Sequence, residues 1–214
     1  MTTIRNNERS WAIELISQIN QFSKDNELII KHAGGESTVS EHRGQNMFPD
    51  VILYGDYDLS SILQGWELKM PDVSINNADF VHDAQRKATA LNLNSCVIWN
   101  FTHARLYVFD DERQEFTERK KWENNIIKTR DDVQRYRSKW EQTLQSVLTT
   151  VNDYLVSGQV KKTFIGEVLA TTSISRLVSE NKYCVAAHLK EMVKRNAIII
   201  SRSEERFSRN AETD

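Results

Sequence analysis

Proline occurs twice in this 214-residue chain, at Pro49 and Pro71, and both flank one pair of apolar segments. A proline nitrogen cannot donate to a sheet ladder, so within sheets the residue marks strand ends. Phe48–Tyr54 and Ile62–Met70 accordingly read as neighbouring strands. The first carries Pro49-Asp50, the second ends before Pro71, and the turn-like segment Gly55–Ser61 joins them. Side chains alternate along a strand, which puts Glu67 and Lys69 on one face and Leu68 in the opposite layer. If the two strands form a hairpin, Asp50 meets Glu67 across the ladder, where partners stand about 5 Å apart. Two carboxylates and an ammonium then share one spot on a sheet.

The remaining pattern supplies layers around that hairpin. Trp11, Ala12, Leu15, Ile16, Ile19 and Phe22 recur at helical spacing over Glu8–Phe22, with Asn6 or Asn7 as N-cap. Glu27–Lys31 reads as a strand, with Gly34-Gly35 and Gly44 as turns. Asn77–Leu93 reads as a second helix, through Phe80, Ala84, Ala88 and Leu91, and Ser95–Asn100 and Arg105–Asp110 as two more strands. This order predicts an α/β fold with a mixed central sheet flanked by helices. Beyond about residue 120 the strand signals stop. Ile126, Val133, Trp140, Leu144, Val147, Val151 and Leu155 form one apolar stripe, read as a packed helical region with a coiled-coil seam as the alternative. Phe164–Asn196 reads as further helix and Ser201–Asp214 as a frayed polar tail. The expected division is a core over 1–120, a helical region over 121–200 and the tail over 201–214.

Hydrophobic residues, at 39%, suffice for a core, and no apolar run approaches the roughly 18 residues of a membrane span. The N-terminus lacks the apolar stretch of a signal peptide. Cys96 and Cys184 read as buried small hydrophobes in a reducing compartment, so the expected location is cytoplasmic. The net charge of −2 conceals an asymmetry: residues 1–100 carry 8 Lys/Arg against 13 Asp/Glu, and residues 160–209 carry 10 against 5. Phosphate contacts dominate nucleic-acid affinity, so the acidic half disfavours such a ligand unless its acids are committed to cations. The basic part favours one, with plain solvated surface charge as the competing explanation.

Glu-x-Lys alone is a common strand-surface ion pair. Here it coincides with Phe-Pro-Asp, a matching strand pattern and a separation of 17 residues between Asp50 and Glu67. Paired carboxylates repel, and a hard divalent cation resolves the conflict. Mg²⁺ engages one or two carboxylates, keeps several waters and takes a phosphate oxygen. A metal so held polarises the phosphoryl group and lowers the pKa of a bound water. Lys69 is placed to orient that water, to help remove its proton, or to stabilise charge on the scissile phosphate. On a helical wheel the apolar positions of the first helix centre near Glu8, with Glu14 about 120° away. An acid on a sheet-facing side is costly unless it meets a cation or a hydrogen-bond donor, and a metal would explain it. Glu8 is therefore the candidate third ligand and Glu14 its substitute; a purely electrostatic role at the helix N-terminus is the alternative.

Together these residues resemble the PD-(D/E)xK nuclease superfamily over about residues 4–110. Several stretches narrow the resemblance: Glu8-Arg-Ser-Trp-Ala-Ile-Glu-Leu15, Trp66-Glu-Leu-Lys-Met-Pro-Asp72, Ala84-Gln-Arg-Lys-Ala88, and Val97-Ile-Trp-Asn100 preceding Leu106-Tyr-Val108. They look like the N-terminal nuclease domain of type IIG and type ISP restriction-modification enzymes. The resemblance implies a restriction-endonuclease-like core that hydrolyses DNA phosphodiesters with Mg²⁺, with Mn²⁺ as a substitute. It implies Asp50, Glu67, Lys69 and Gln85 as catalytic residues, and Glu8, Asp50, Glu67 and the carbonyl of Leu68 around the metal. Relatives commonly carry a tyrosine four residues after the glutamine; Thr89 stands there instead and leaves that role unfilled. Arg86 and Lys87 suit contacts to backbone phosphates, and Arg43 lies near enough to the Asp50 strand to touch DNA.

The same resemblance implies the cleavage module of a restriction or antiviral DNA-defence system. One nuclease core cuts one strand, so a double-strand break requires two copies, hence a homodimer. The helical region would then grip DNA, mediate dimerisation or link to another domain. No Gly-x-x-x-x-Gly-Lys-Ser/Thr loop occurs, so the chain is not its own translocating motor; no Asn-Pro-Pro-Tyr-like motif occurs either, which assigns methylation and target recognition to another domain or subunit. Zinc and acyl-transfer chemistry lack their motifs as well. The competing functions are a repair or junction nuclease of the same fold, a non-cutting DNA-binding or scaffolding module on it, and a plain interaction protein acting through its helical stripe. Retention of Asp50, Glu67 and Lys69 together speaks against a decayed nuclease.

Overall fold

The computed structural model describes residues 8–35 and 48–164, and these build a seven-stranded mixed sheet with helices on both faces. The elements are α1 (Glu8–Asp25), β1 (His32–Gly35), β2 (Val51–Tyr54), β3 (Ser61–Leu68), α2 (Ala78–Ala90), β4 (Ser95–Trp99), β5 (His103–Asp110), β6 (Glu115–Glu123), α3 (Arg130–Arg135), α4 (Arg137–Val156) and β7 (Thr163–Phe164). The strands lie in the order β1-β2-β3-β4-β5-β6. Only β3 and β4 run parallel, connected through α2; the other neighbours are antiparallel. The two-residue β7 pairs with the start of β3, at Ser61 and Ile62. Since β2 occupies one edge of β3 through Ile62, β7 lies on the edge that β4 takes up from Gly65 onward. The α/β architecture expected from the sequence, a mixed central sheet between helices, is the one observed.

Two cores divide along the faces of the sheet. On one face Trp11, Leu15 and Ile19 of α1 and Trp140, Leu144, Val147 and Val151 of α4 pack against Val51, Leu53, Trp66, Leu68, Val97 and Trp99. Its centre is aromatic: Phe101 lies 5.6 Å from Trp140, 5.8 Å from Trp11 and 6.0 Å from Trp99 between ring centroids. On the other face Ala84, Ala88 and Leu91 of α2 and the loop residue Leu93 cover Ile52, Tyr54, Ile62, Cys96 and Ile98. The small alanines let the α2 backbone settle close to the sheet. Cys96 is buried there as expected, and burial pushes its thiol pKa up. Cys184 lies outside the described residues.

Three elements differ from the sequence reading. Glu27–Lys31 is not a strand: Glu27 has φ 51, and the Leu28 N–H turns back to the Ser23 carbonyl at 3.1 Å. Leu28 and Ile30 alternate and are buried, which imitates a strand while the chain reverses off α1. The strand lies later, at His32–Gly35, and includes Gly34-Gly35; α1 packs on it, and a Cβ on Gly35 would meet Ile16 Cδ1 at an ordinary contact distance of 3.5 Å. Asn20 of α1 brackets Ala33 there, accepting from its N–H at 2.7 Å and donating to its carbonyl at 3.1 Å. β6 extends past residue 120; as an edge strand with mostly exposed residues it needs no apolar alternation, and its charges protect the edge. Among the described helices after residue 120, α4 does not stand apart: its apolar stripe is part of the main core. Ile127 is buried where Ile126 was expected, and Ile126 is exposed. The reading of Phe164–Asn196 as helix and of 201–214 as tail falls outside the described residues, apart from Phe164 itself in β7.

Among the described residues, no helix is long and apolar enough to cross a membrane.

Candidate active site

The register of β2 and β3 pairs Val51 with Trp66, so the next step along the ladder sets Asp50 opposite Glu67. A β-bulge decides which face they use. Leu53 pairs with Gln64 but Tyr54 with Ile62, leaving Leu63 as the extra residue. Ile62 faces α2; strict alternation from it would turn Glu67 toward α1 and α4. The inserted Leu63 reverses the parity, so Trp66 and Leu68 enter the α1/α4 core and Glu67 and Lys69 face α2.

Gly65 and Pro49 fix the position of Asp50. A Cβ on Gly65 would stand 2.5 Å from Pro49 Cγ and 3.1 Å from Pro49 Cβ, so the proline ring fills the space that any other residue at 65 would claim. Asp50 follows directly, and its Oδ2 accepts the Leu68 N–H at 2.7 Å. Backbone N–H and C=O groups of one residue point to the same strand edge. The Leu68 carbonyl is therefore turned to the edge where Asp50 lies, and the Lys69 N–H is turned to the other, where it donates to Trp99 O at 2.8 Å. Underneath, Trp66 Nε1 donates to Gln64 Oε1 at 2.8 Å and Gln64 Nε2 to Ser95 Oγ at 2.9 Å, satisfying a buried polar chain beneath the site.

Glu67 is the electrostatic centre. Its side chain is 4% exposed, and Lys87 of α2, itself 11% exposed, places Nζ 2.7 Å from Oε1. Burial, and then the negative charge of Asp50, push the Glu67 pKa up to about 7 against the opposing pull of Lys87 and Lys69. Burial works against the Lys87 charge, but its hydrogen bond to Glu67 and the charges of Glu67, Asp50 and Asp83 hold its pKa above the ordinary value. The Lys69 ammonium lies 4.9 Å from the centroid of the Phe80 ring, at the start of α2, on the same face as Glu67.

The structure thus brings Asp50, Glu67, Lys69 and the Leu68 backbone together and adds Lys87. Sequence reasoning sets Lys87 beside Arg86 as a phosphate contact; in the structure its ammonium lies 2.7 Å from Glu67 Oε1 and 3.4 Å from Asp83 Oδ2. The signal was present, since Lys87 stands between Ala84 and Ala88 and four residues before Leu91, at the margin of the sheet-facing stripe. Gln85, two residues before Lys87, lies about 160° around the helix from it. A helix that delivers Lys87 to Glu67 therefore turns Gln85 to its other flank. Arg86 is 60% exposed and pairs with Asp83 at 2.6 Å. Glu14 pairs with Arg137 of α4 and so joins two helices. Arg43 and the side chain of Glu8 lie outside the described residues.

Among the described residues, no group of three or more histidine, cysteine or acidic side chains is gathered to hold a metal. A hard cation of the magnesium type asks for less: one or two carboxylates, with waters and carbonyl oxygens completing the shell. Asp50 and Glu67, opposed on one face with the Leu68 carbonyl at the same edge, meet that smaller requirement in donor chemistry.

No known family model matches the sequence. No curated protein matches it either. Among solved structures, that of the type IIG restriction endonuclease BpuSI matches with a TM-score of 0.46 and 13% identity, covering 85% of this chain and 20% of that one. The chain spans about a fifth of that protein's length, and at this level the likeness transfers no activity.

Proposed function

We propose that this chain is a Mg²⁺-dependent DNA endonuclease whose reaction centre is Asp50, Glu67 and Lys69. The observation that carries the reading is the opposition of Asp50 and Glu67 across β2 and β3, with Lys69 two residues on and on the same face. Burial first, and then the Asp50 charge, raise the pKa of Glu67; the second contribution is what two acids converging on one cation site should give. Asp50, Glu67 and the Leu68 carbonyl would hold the metal, with Glu8 completing the shell. Mg²⁺, or Mn²⁺ in its place, would polarise a phosphoryl oxygen and make a bound water a nucleophile near neutral pH. Lys69 would orient the attacking water and offset the charge that builds on the phosphate. The α2 wall, with Phe80 beneath Lys69, keeps the ammonium on the Glu67 side.

The role suggested is the cleavage module of a restriction or other DNA-defence system, with target recognition and methylation carried elsewhere and a second copy supplying the second strand cut. Incubating the purified chain with supercoiled, linear and branched DNA, with Mg²⁺ and with chelator, tests it. Nicking that requires Mg²⁺ and disappears in Lys69→Ala is the expected result. Nicking that survives Lys69→Ala rejects the mechanism, and selective cutting of branched DNA would move the chain to the repair or junction nucleases.

A further inference from the structure

Glu67 Oε1 has an occupant that the nuclease reading does not use. Lys87 Nζ lies 2.7 Å from it, and the pair is almost closed to solvent. An oxygen that accepts an ammonium at this distance cannot also bind a divalent ion at about 2 Å without setting two cations against each other. A second acceptor waits nearby. Asp83, one helical turn before Lys87, has Oδ2 at 3.4 Å from the same Nζ. Its other oxygen, Oδ1, is taken by Arg86 at 2.6 Å, which fixes the carboxylate with Oδ2 toward Lys87. Lysine carries its charge on a flexible four-carbon stem, so a short swing moves the ammonium from one acid to the other.

We propose that Lys87 and a divalent cation compete for the same Glu67 oxygen, and that Asp83 receives the ammonium when the divalent ion takes Glu67. Lys87 is then a positioning residue: it compensates the Asp50–Glu67 pair and sets the cation concentration at which the site fills. This rests on the reading of Asp50 and Glu67 as a cation site. A buried carboxylate left without its partner is strongly disfavoured, so removing Lys87 should sharpen the site's demand for a metal.

The test is calorimetric titration of Mn²⁺ into the full chain, together with melting temperatures in chelator and in excess Mn²⁺. Lys87→Met is expected to bind Mn²⁺ at least about tenfold more tightly than the unmodified chain. Its melting temperature should fall in chelator and recover with Mn²⁺. Asp83→Asn keeps the lysine but removes the negative charge of its second acceptor, and should bind Mn²⁺ several-fold more weakly. The ratio between Lys87→Met and the unmodified chain should persist in high salt, where effects of distant charges are screened. A lysine with only a structural role would give a low melting temperature under both conditions and an unchanged affinity. Equal or weaker Mn²⁺ binding in Lys87→Met, with normal binding in the unmodified chain that Asp50→Asn abolishes, overturns the competition alone. Absence of any Asp50-dependent Mn²⁺ binding in the unmodified chain overturns both the competition and the nuclease reading.

Discussion

Asp50 Oδ2 accepts the backbone N–H of Leu68 at 2.7 Å, tying the acid at the head of β2 to the residue between Glu67 and Lys69. The bond holds Asp50 where its charge bears on Glu67, and it separates two roles that substitution can resolve. Asp50→Asn keeps an acceptor for Leu68 and removes the charge, so it should fold with near-normal stability, bind divalent cations poorly and not cut DNA. Asp50→Ala also strips the Leu68 N–H of its partner and should lose about 1–3 kcal/mol. Urea unfolding of both variants checks this; equal stabilities would mean the hydrogen bond does not anchor the site.

Gly65 is required by its neighbour and not by its backbone angles. Gly65→Ala would drive a methyl into the Pro49 ring and displace Asp50, costing about 1–3 kcal/mol as overpacking does. Divalent affinity should fall with it. Adding Pro49→Ala should restore much of the stability, because the clashing ring is gone. A Gly65→Ala protein with unaltered melting and activity would contradict the packing described.

The raised pKa of Glu67 fixes the sign of a pH effect. Between its ordinary value of 4.5 and about 7, the folded protein holds a proton on Glu67 that the unfolded chain has lost. This contribution to stability is complete below pH 4.5 and is lost as pH rises through about 7, amounting to roughly 3 kcal/mol at most. Other carboxylates, Asp83 among them, are shifted down and act oppositely, so the comparison must be with Glu67→Gln. In chelator, the stability of the unmodified chain relative to Glu67→Gln should decline from pH 4.5 to 8. A relative gain over that range would reverse the assignment.

Lys69→Ala should separate chemistry from folding. Its contact with Phe80 is a cation–π interaction worth about 0.5–1 kcal/mol at a partly exposed site, a modest loss on unfolding. Mn²⁺ binding should persist while plasmid nicking disappears. Loss of binding together with nicking would make Lys69 a support of the site and not a participant in the reaction.

The hairpin and its acids were legible because prolines, alternation and the turn segment all pointed the same way. The face that Glu67 uses was reached by local parity from Leu68, although the Leu63 bulge was invisible in the sequence. β1 is misplaced in the sequence reading because Leu28 and Ile30 imitate a strand, while the real strand, His32–Gly35, carries two adjacent glycines that read as a turn. β6 is not legible in the sequence because an edge strand facing solvent carries Arg119, Lys120 and Lys121 in place of an apolar pattern. The sequence reading gives Lys87 to phosphate contacts because it follows Gln85 and Arg86; only the packing of α2 on β3 shows that its ammonium turns to a buried acid.

The most direct measurement is the anomalous difference density of a crystal of this chain soaked in Mn²⁺. A peak between the carboxylates of Asp50 and Glu67, roughly 2.0–2.2 Å from an oxygen of each, is the predicted result. No peak there at saturating Mn²⁺, or one bound by Asp50 without Glu67, would contradict a shared cation site and the hydrolytic chemistry built on it.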